Sequence, residues 1–313
     1  MVKIRCHWDG DGITSALFTS YGVKDSEIEI GEYAKGFGCT EGLTKDDWMV
    51  DMKPQDKNWE GNCIDHHFPH PDDRKYKLIP DISSTLYENS PDIVPASLLA
   101  WREFKDKIPE SEWWKLCIGL AGDGSLELTP PEVFDTCPSL MTSVKTSAYQ
   151  SYGKWRISTY PVYMLLSSCI NSVLRKGEYE NAIYLMKYVK SPMELYTLPD
   201  IAIAKRDIKN DYKTAVTDAS MYEFGNLVII LFESQYRMSG YVSSSLQDAF
   251  PGKTMMAINT KTGSISLRGK LAPYYKAKLS QLDYLHIDGH YEFMGGKLHK
   301  NPETFIQDVS RIL

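Results

Sequence analysis

Val2, Ile4 and Cys6 alternate with Lys3 and Arg5, the two-residue period of a strand that buries one face. The polar run His7-Trp8-Asp9-Gly10-Asp11-Gly12 follows, and apolar positions then recur at helical spacing over residues 13–21, stopping at Gly22. The order strand, glycine-rich loop, helix opens a βαβ unit. Two further short hydrophobic approaches end in acidic residues: Trp48-Met49-Val50 before Asp51, and Cys63-Ile64 before Asp65-His66-His67. Helical patterns cover residues 95–105 and 113–120, the second running into Gly122-Asp123-Gly124. Strands alternating with helices predict an α/β fold with a mainly parallel sheet and helices on both faces.

Residues 160–217 read as largely helical. Beyond Ser220 the texture changes to short β-rich runs, Leu227–Phe232, Thr254–Asn259 and 264–267, with Lys261-Thr262-Gly263 as a hairpin turn. The expected division is a first domain over 1–190, a helical connector over 191–220 and a smaller mixed α/β C-terminal domain over 221–313. At roughly 150 residues per domain, 313 residues suit two domains.

Composition adds exclusions. With 42% hydrophobic and 24% charged residues the chain is neither disordered nor low-complexity. Its longest purely apolar run, Leu227–Phe232, falls far short of the ~20 residues of a membrane span. The N-terminus enters a polar motif at once, which argues against a signal peptide. Cys6, Cys39, Cys63, Cys117, Cys137 and Cys169 form no C-x-x-C pair, so reduced thiols in a cytoplasmic protein are expected. Residues 221–313 carry 10 Lys/Arg against 8 Asp/Glu, and residues 1–220 carry 25 against 33. An acidic part beside a mildly basic one suits a carboxylate-rich site and a domain that meets an anion.

All seven histidines fall into two clusters, His7, His66, His67 and His70 near the start and His286, His290 and His299 near the end. In the first half, His7/Asp9/Asp11, Asp51, Asp65/His66/His67 and Asp123 each follow an apolar stretch. In an open parallel sheet such positions converge on one crevice. Several carboxylates gathered there repel one another, and divalent cations relieve the repulsion. Mixed imidazole and carboxylate ligands favour Mn²⁺, with Mg²⁺, Co²⁺ or Zn²⁺ as substitutes, and a pair of ions can activate a water for displacement at phosphorus. Asp9-Gly-Asp11-Gly is not an EF-hand, because Ile13 stands where that loop needs an oxygen ligand. No H-E-x-x-H, Walker A, G-x-S-x-G or complete G-x-G-x-x-G motif occurs, and Gly36-Phe37-Gly38 reads as a turn.

Asp65-His66-His67 resembles the namesake motif of the DHH phosphoesterase superfamily. His7-Trp8-Asp9-Gly10-Asp11-Gly12 is similar to its first motif, Asp51 to its second and Gly122-Asp123 to its fourth. The resemblance implies that His7, Asp9 and Asp51 hold one metal and that Asp11, Asp51, His66 and Asp123 hold the other, with Asp51 bridging. It implies that Asp65 orients a histidine and that His67 faces the substrate phosphate. The tight His-x-Asp-x-Asp spacing and the Asn171…Arg175…Gly177 segment resemble the RecJ-like branch, where Arg175 would stabilise phosphoryl charge beside Asn171. Arg268, with Asp288-Gly289-His290 and Gly295-Gly296, is similar to the substrate-binding part of a DHH-associated C-terminal domain, except that Asp288 stands where the family usually has glycine.

These features imply a metal-dependent phosphodiesterase or exonuclease acting on single-stranded nucleic acid or short oligonucleotides. The alternatives are a nanoRNase or small-nucleotide phosphatase (cyclic dinucleotide or pAp), an inorganic pyrophosphatase, or a non-catalytic replication scaffold. No membrane partner is expected, and the chain would be a monomer or homodimer.

Overall fold

The computed structural model describes residues 1–31, 33–34, 37–67, 70–79, 94–150, 154–247, 249–290 and 292–313, with the side chains at 33–34, 147–150, 154–156, 288 and 290 left aside. Gly36 of the expected turn lies outside the described residues. The chain divides into two compact units, one formed by 1–144, 159–174 and 178–205, the other by 145–158, 175–177 and 206–313.

The first unit is built on β1 (Val2–Cys6), β2 (Ser26–Ile30), β3 (Trp48–Val50), β4 (Asn62–Ile64) and β5 (Lys77–Leu78). These form a parallel sheet in the order β2-β1-β3-β4-β5. Cys6 pairs with Val50 and Val50 with Ile64, so the three central strands end level. Their next residues are His7, Asp51 and Asp65. The ladder continues one step past the strands, with the Asp51 amide donating to the Ile64 carbonyl at 2.8 Å.

Alternation decides the two faces. Ile4, Cys6, Val50 and Ile64 enter the main core, whereas Met49 and Cys63 join a small cluster with Met52, Trp59, Tyr76 and Leu78. Helix α1 (Gly10–Gly22) packs on β1, β2 and β3, and α2 (Ala96–Phe104) and α3 (Leu116–Gly122) pack against α1. The expected α/β class is the one found: a mainly parallel sheet with helices and a smaller mixed α/β region.

One local expectation needs correcting. Gly10-Asp11-Gly12 is not a loop but the first turn of α1. Asp9, in extended conformation, caps the helix by accepting from the Gly12 amide at 3.0 Å. Glycine at 12 serves close approach: a Cβ there would lie 2.4 Å from the His7 carbonyl oxygen.

The helix α4 (Leu166–Arg175) precedes α5 (Pro199–Thr217). In the second unit β6 (Ser220–Phe224), β7 (Leu227–Phe232), β8 (Thr254–Asn259), β9 (Ser264–Arg268), β10 (Leu285–His290) and β11 (Phe293–Leu298) form a mixed sheet. Its order is β6-β7-β8-β9-β11-β10, and β7/β8 is its parallel pair. Leu227, Ile229 and Leu231 face a core closed by α7 (Ala272–Leu279) and α8 (Pro302–Ile312). Val228, Ile230 and Phe232 pack with Ile208, Tyr212 and Ala215 of α5 and with Val242 and Leu246 of α6 (Ser239–Gln247). Burial on both faces is why β7 reads as an unbroken apolar run. Each such side chain contributes about 1.5–3 kcal/mol. Among the described residues no helix is long and apolar enough to cross a membrane.

Candidate metal centre

Because β1, β3 and β4 end level, the first unit gathers its donors at one sheet edge. His7 Nδ1 lies 2.7 Å from Asp9 Oδ2 and 3.6 Å from Asp51 Oδ2. His66 Nε2 lies 3.1 Å from Asp51 Oδ1, 3.3 Å from Asp123 Oδ2 and 3.9 Å from Asp11 Oδ2. Among the described residues three groups of potential ligand atoms result, His7/Asp9/Asp51, Asp11/His66/Asp123 and Asp51/His66/His67, each with its atoms within 4.8 Å of one another. Asp51 and His66 each belong to two groups. The donor set is hard oxygen with imidazole, which fits a divalent first-row ion or Mg²⁺.

The supports of each carboxylate differ. Asp9 uses one oxygen to cap α1 and turns the other to His7. Asp11, fully buried, accepts from the Ala96 amide at 2.8 Å and the Ser97 amide at 3.0 Å. Those are the first amides of α2, so the helix N-terminus holds the carboxylate. Asp123 follows α3 as its C-cap, with its side chain about a quarter exposed. Asp51 has a left-handed backbone, φ 56°. Aspartate tolerates that region better than most residues, yet such a conformation costs on the order of 1–3 kcal/mol and gathers at functional sites. It turns the buried side chain back toward both imidazoles.

Electrostatics follow from this crowding. Burial alone would lower the His7 pKa, but the Asp9 and Asp51 carboxylates outweigh it and hold it well above the ordinary value. His66 is raised against burial in the same way by Asp123, Asp51 and Asp11. Burial raises Asp11, with the charges of Asp123 and Asp51 adding to it. Burial likewise pushes Asp123 up to about 6, aided by Asp51 and Asp9 against the lowering pull of His66. Asp51 goes the other way: burial would raise it, but hydrogen bonding to His66 and His7 holds it well below the carboxylate range.

Metal-free protein at neutral pH therefore holds His7 and His66 protonated, and a cation must displace those protons. Mn²⁺ binding is expected to release protons, and its apparent affinity to rise with pH by up to about one decade per unit for each proton displaced. Calorimetric titration at pH 7 in two buffers of different ionisation heat checks this; identical heats would contradict it. The raised histidines also give the metal-free fold stability that is complete below about 6.5 and lost as pH rises through their folded values. Asp123 adds stability at low pH that is lost between about 4 and about 6.

The remaining candidates are placed as follows. His67 Nδ1 bonds Asp65 Oδ1 at 2.6 Å, and Asp65 Oδ2 lies 3.1 Å from His70 Nε2. Asn171 on α4 lies beside Gly10, where a Cβ would come within 3.5 Å of its Oδ1, and it donates to Ser167 Oγ. Arg175 belongs to the second unit, with its guanidinium 4.9 Å from the Tyr241 ring centroid.

Also in the second unit, Arg268 at the end of β9 pairs in register with Phe293 and lies 4.9 Å over its exposed ring. Gly289 has φ 136°, and a Cβ there would meet the Phe293 carbonyl at 2.6 Å. Gly295 and Gly296 sit inside β11, between β9 and β10. Gly295 shares its sheet face with Arg268 and leaves that face open, since a Cβ there would find its nearest neighbour 3.9 Å away. The side chains of Asp288 and His290 lie outside the described residues. What the sequence reading missed is the support: His70 with Tyr76 behind Asp65, and α2 behind Asp11. The clustering of His70 with His66 and His67 was the one available signal.

No family model matches the chain, and no curated protein does. Among solved structures it is similar to RecJ of Thermus thermophilus in complex with Mn²⁺, with TM-score 0.68 and 15% identity. That match covers 99% of this chain. The chain has the DHH, RecJ-like fold. It spans 51% of the length of the Thermus RecJ. An exonuclease RecJ bound to manganese matches with TM-score 0.61 and 16% identity, over 99% of this chain and 88% of that one. The DHH domain of a member of a ribosomal-protein family matches with TM-score 0.54 and 13% identity, over 99% and 85%. In this RecJ-like fold the donors gathered at the sheet edge are the very residues quoted for the DHH motifs.

Proposed function

We propose that this chain is a metal-dependent phosphodiesterase that hydrolyses phosphodiester bonds of single-stranded or short nucleic acid, with two Mn²⁺ as its working ions. The observation that carries the reading is the sharing of Asp51 and His66 between overlapping ligand groups. Two adjacent cation sites would account for such sharing and would relieve the crowding of carboxylates there. His7, Asp9 and Asp51 would hold one ion, and Asp11, Asp51, His66 and Asp123 the other. When bound, such a pair lowers the pKa of water and neutralises the oxygens of an in-line displacement at phosphorus.

The chain's own residues supply the rest. Asp65 keeps the His67 hydrogen on Nδ1, which leaves Nε2 to face a phosphate or leaving oxygen. Asn171 offers an amide beside the start of α1. In the second unit Arg268, Gly289, His290, Gly295 and Gly296 would receive substrate phosphate, and Arg175 would add a guanidinium suited to phosphate. Similarity to the two manganese-bound RecJ structures supports Mn²⁺ and a nucleic-acid substrate.

The test is a panel of end-labelled oligonucleotides and a dinucleotide with Mn²⁺. Cleavage of longer strands supports the nuclease reading. Cleavage of the dinucleotide alone points to the small-nucleotide alternative, and phosphate release from pyrophosphate alone overturns both. Arg268→Ala should lower kcat/KM about 10- to 100-fold, chiefly through KM, by loss of a charged hydrogen bond worth about 1.5–3 kcal/mol. Metal content should stay unchanged. A kcat/KM within twofold of the parent on every substrate would remove Arg268 from the substrate site.

A further inference from the structure

His70 takes no part in the ligand groups, yet it is buried in the first unit and aimed at the site. Its Nε2 lies 3.1 Å from Asp65 Oδ2, and its Nδ1 lies 2.7 Å from the Tyr76 hydroxyl. Asp65 turns its other oxygen to His67 Nδ1 at 2.6 Å. The line Tyr76–His70–Asp65–His67 therefore runs from the small core around Met49 and Cys63 to the partly exposed His67 beside Asp51. Three of its four members are less than 5% exposed.

Resting on the proposed phosphodiesterase reading, we infer that His70 is a positioning residue: clamped by Tyr76, it fixes Asp65 so that His67 presents Nε2 to the substrate. The chemistry of the groups sets the direction. A neutral imidazole has one N–H and one acceptor nitrogen. The Asp65 carboxylate can only accept, so the His70 hydrogen that faces it sits on Nε2, and the Tyr76 hydroxyl is placed to donate to Nδ1. Asp65 is then flanked from both sides, its second oxygen 3.1 Å from His70 Nε2 and its first left to fix the His67 tautomer. Tyr76 anchors the line because its ring packs in the Met49, Met52, Trp59, Cys63 and Leu78 cluster. A carboxylate with only one imidazole beside it could rotate about its Cβ–Cγ bond, and His67 would lose its orientation with it.

Two readouts separate this role from simple core packing. Long-range ¹H–¹⁵N correlation spectra of the metal-free protein should show His70 carrying its hydrogen on Nε2. That arm needs no activity, so it stands even if the phosphodiesterase reading fails in the oligonucleotide panel. His70→Ala should lower kcat about 10- to 100-fold on the substrate the panel identifies, with KM and bound Mn²⁺ within twofold of the parent. His70→Gln, whose amide nitrogen can reach the place of Nε2, should recover most of that loss. If His70→Ala fails to fold, the Gln variant and the spectra decide. A bare Nε2 in the spectra, a folded His70→Ala with kcat within twofold of the parent, or a His70→Gln no better than Ala would each overturn the inference.

Discussion

Asp51→Asn is expected to cut turnover by about three orders of magnitude or more while leaving the fold intact. The substitution is nearly isosteric, and asparagine tolerates the left-handed backbone that Asp51 adopts at φ 56°. It removes one negative charge from a carboxylate that lies within 4 Å of His7, His66 and His67 together. Both ion sites would lose a ligand at once, and the remaining carboxylates would no longer be bridged. The variant should bind Mn²⁺ with sharply lower affinity, which elemental analysis after desalting reads directly. An Asp51→Asn protein with near-parental rate and full metal content would mean that the site is misplaced.

The second large effect is expected from metal removal. Exhaustive chelation should abolish hydrolysis, and Mn²⁺ should restore it better than Mg²⁺, because imidazole is among the ligands. Chelation should also lower thermal stability, since a ligand that binds only the folded chain stabilises it by about 2.7 kcal/mol at a hundredfold excess over Kd. The burial that raises Asp11 and Asp123, and the carboxylate repulsion that adds to it, act in the same direction. Differential scanning at pH 8, with and without Mn²⁺, checks the stability arm. Activity that persists in protein shown to be metal-free would overturn the two-ion reading.

How much of this was legible in the sequence depends on range. His7, Asp51 and Asp65 could be picked out because each follows a short apolar approach, and the level ends of β1, β3 and β4 turn that pattern into proximity. Asp123 was legible as the residue after an apolar helix. The grip of α2 on Asp11 was not, since residues 85 and 86 positions apart meet there and neither Ala96 nor Ser97 is a recognisable partner. The left-handed backbone at Asp51 carries no sequence mark, because aspartate is not glycine.

The helix start at Gly10 was misread as loop for a related reason: two glycines suggest irregular chain, while the Asp9 cap and the tight fit of Gly12 against His7 favour a helix. Strands β10 and β11 escaped notice because Gly289, Gly295, Gly296 and their polar neighbours dilute the β pattern. Their pairing is set by β9, a partner far along the chain. Arg175 reads as part of the first domain on its helix, yet it groups with the second unit, where its guanidinium lies 4.9 Å from the Tyr241 ring centroid.

The most direct measurement of the central claim is anomalous diffraction at the manganese edge from crystals of the protein soaked in Mn²⁺. Two peaks flanking the Asp51 carboxylate are predicted, one also touching His7 and Asp9, the other touching Asp11, His66 and Asp123. A single peak that leaves Asp51 out, or none above noise at this sheet edge with Mn²⁺ present in the crystal, would contradict the account.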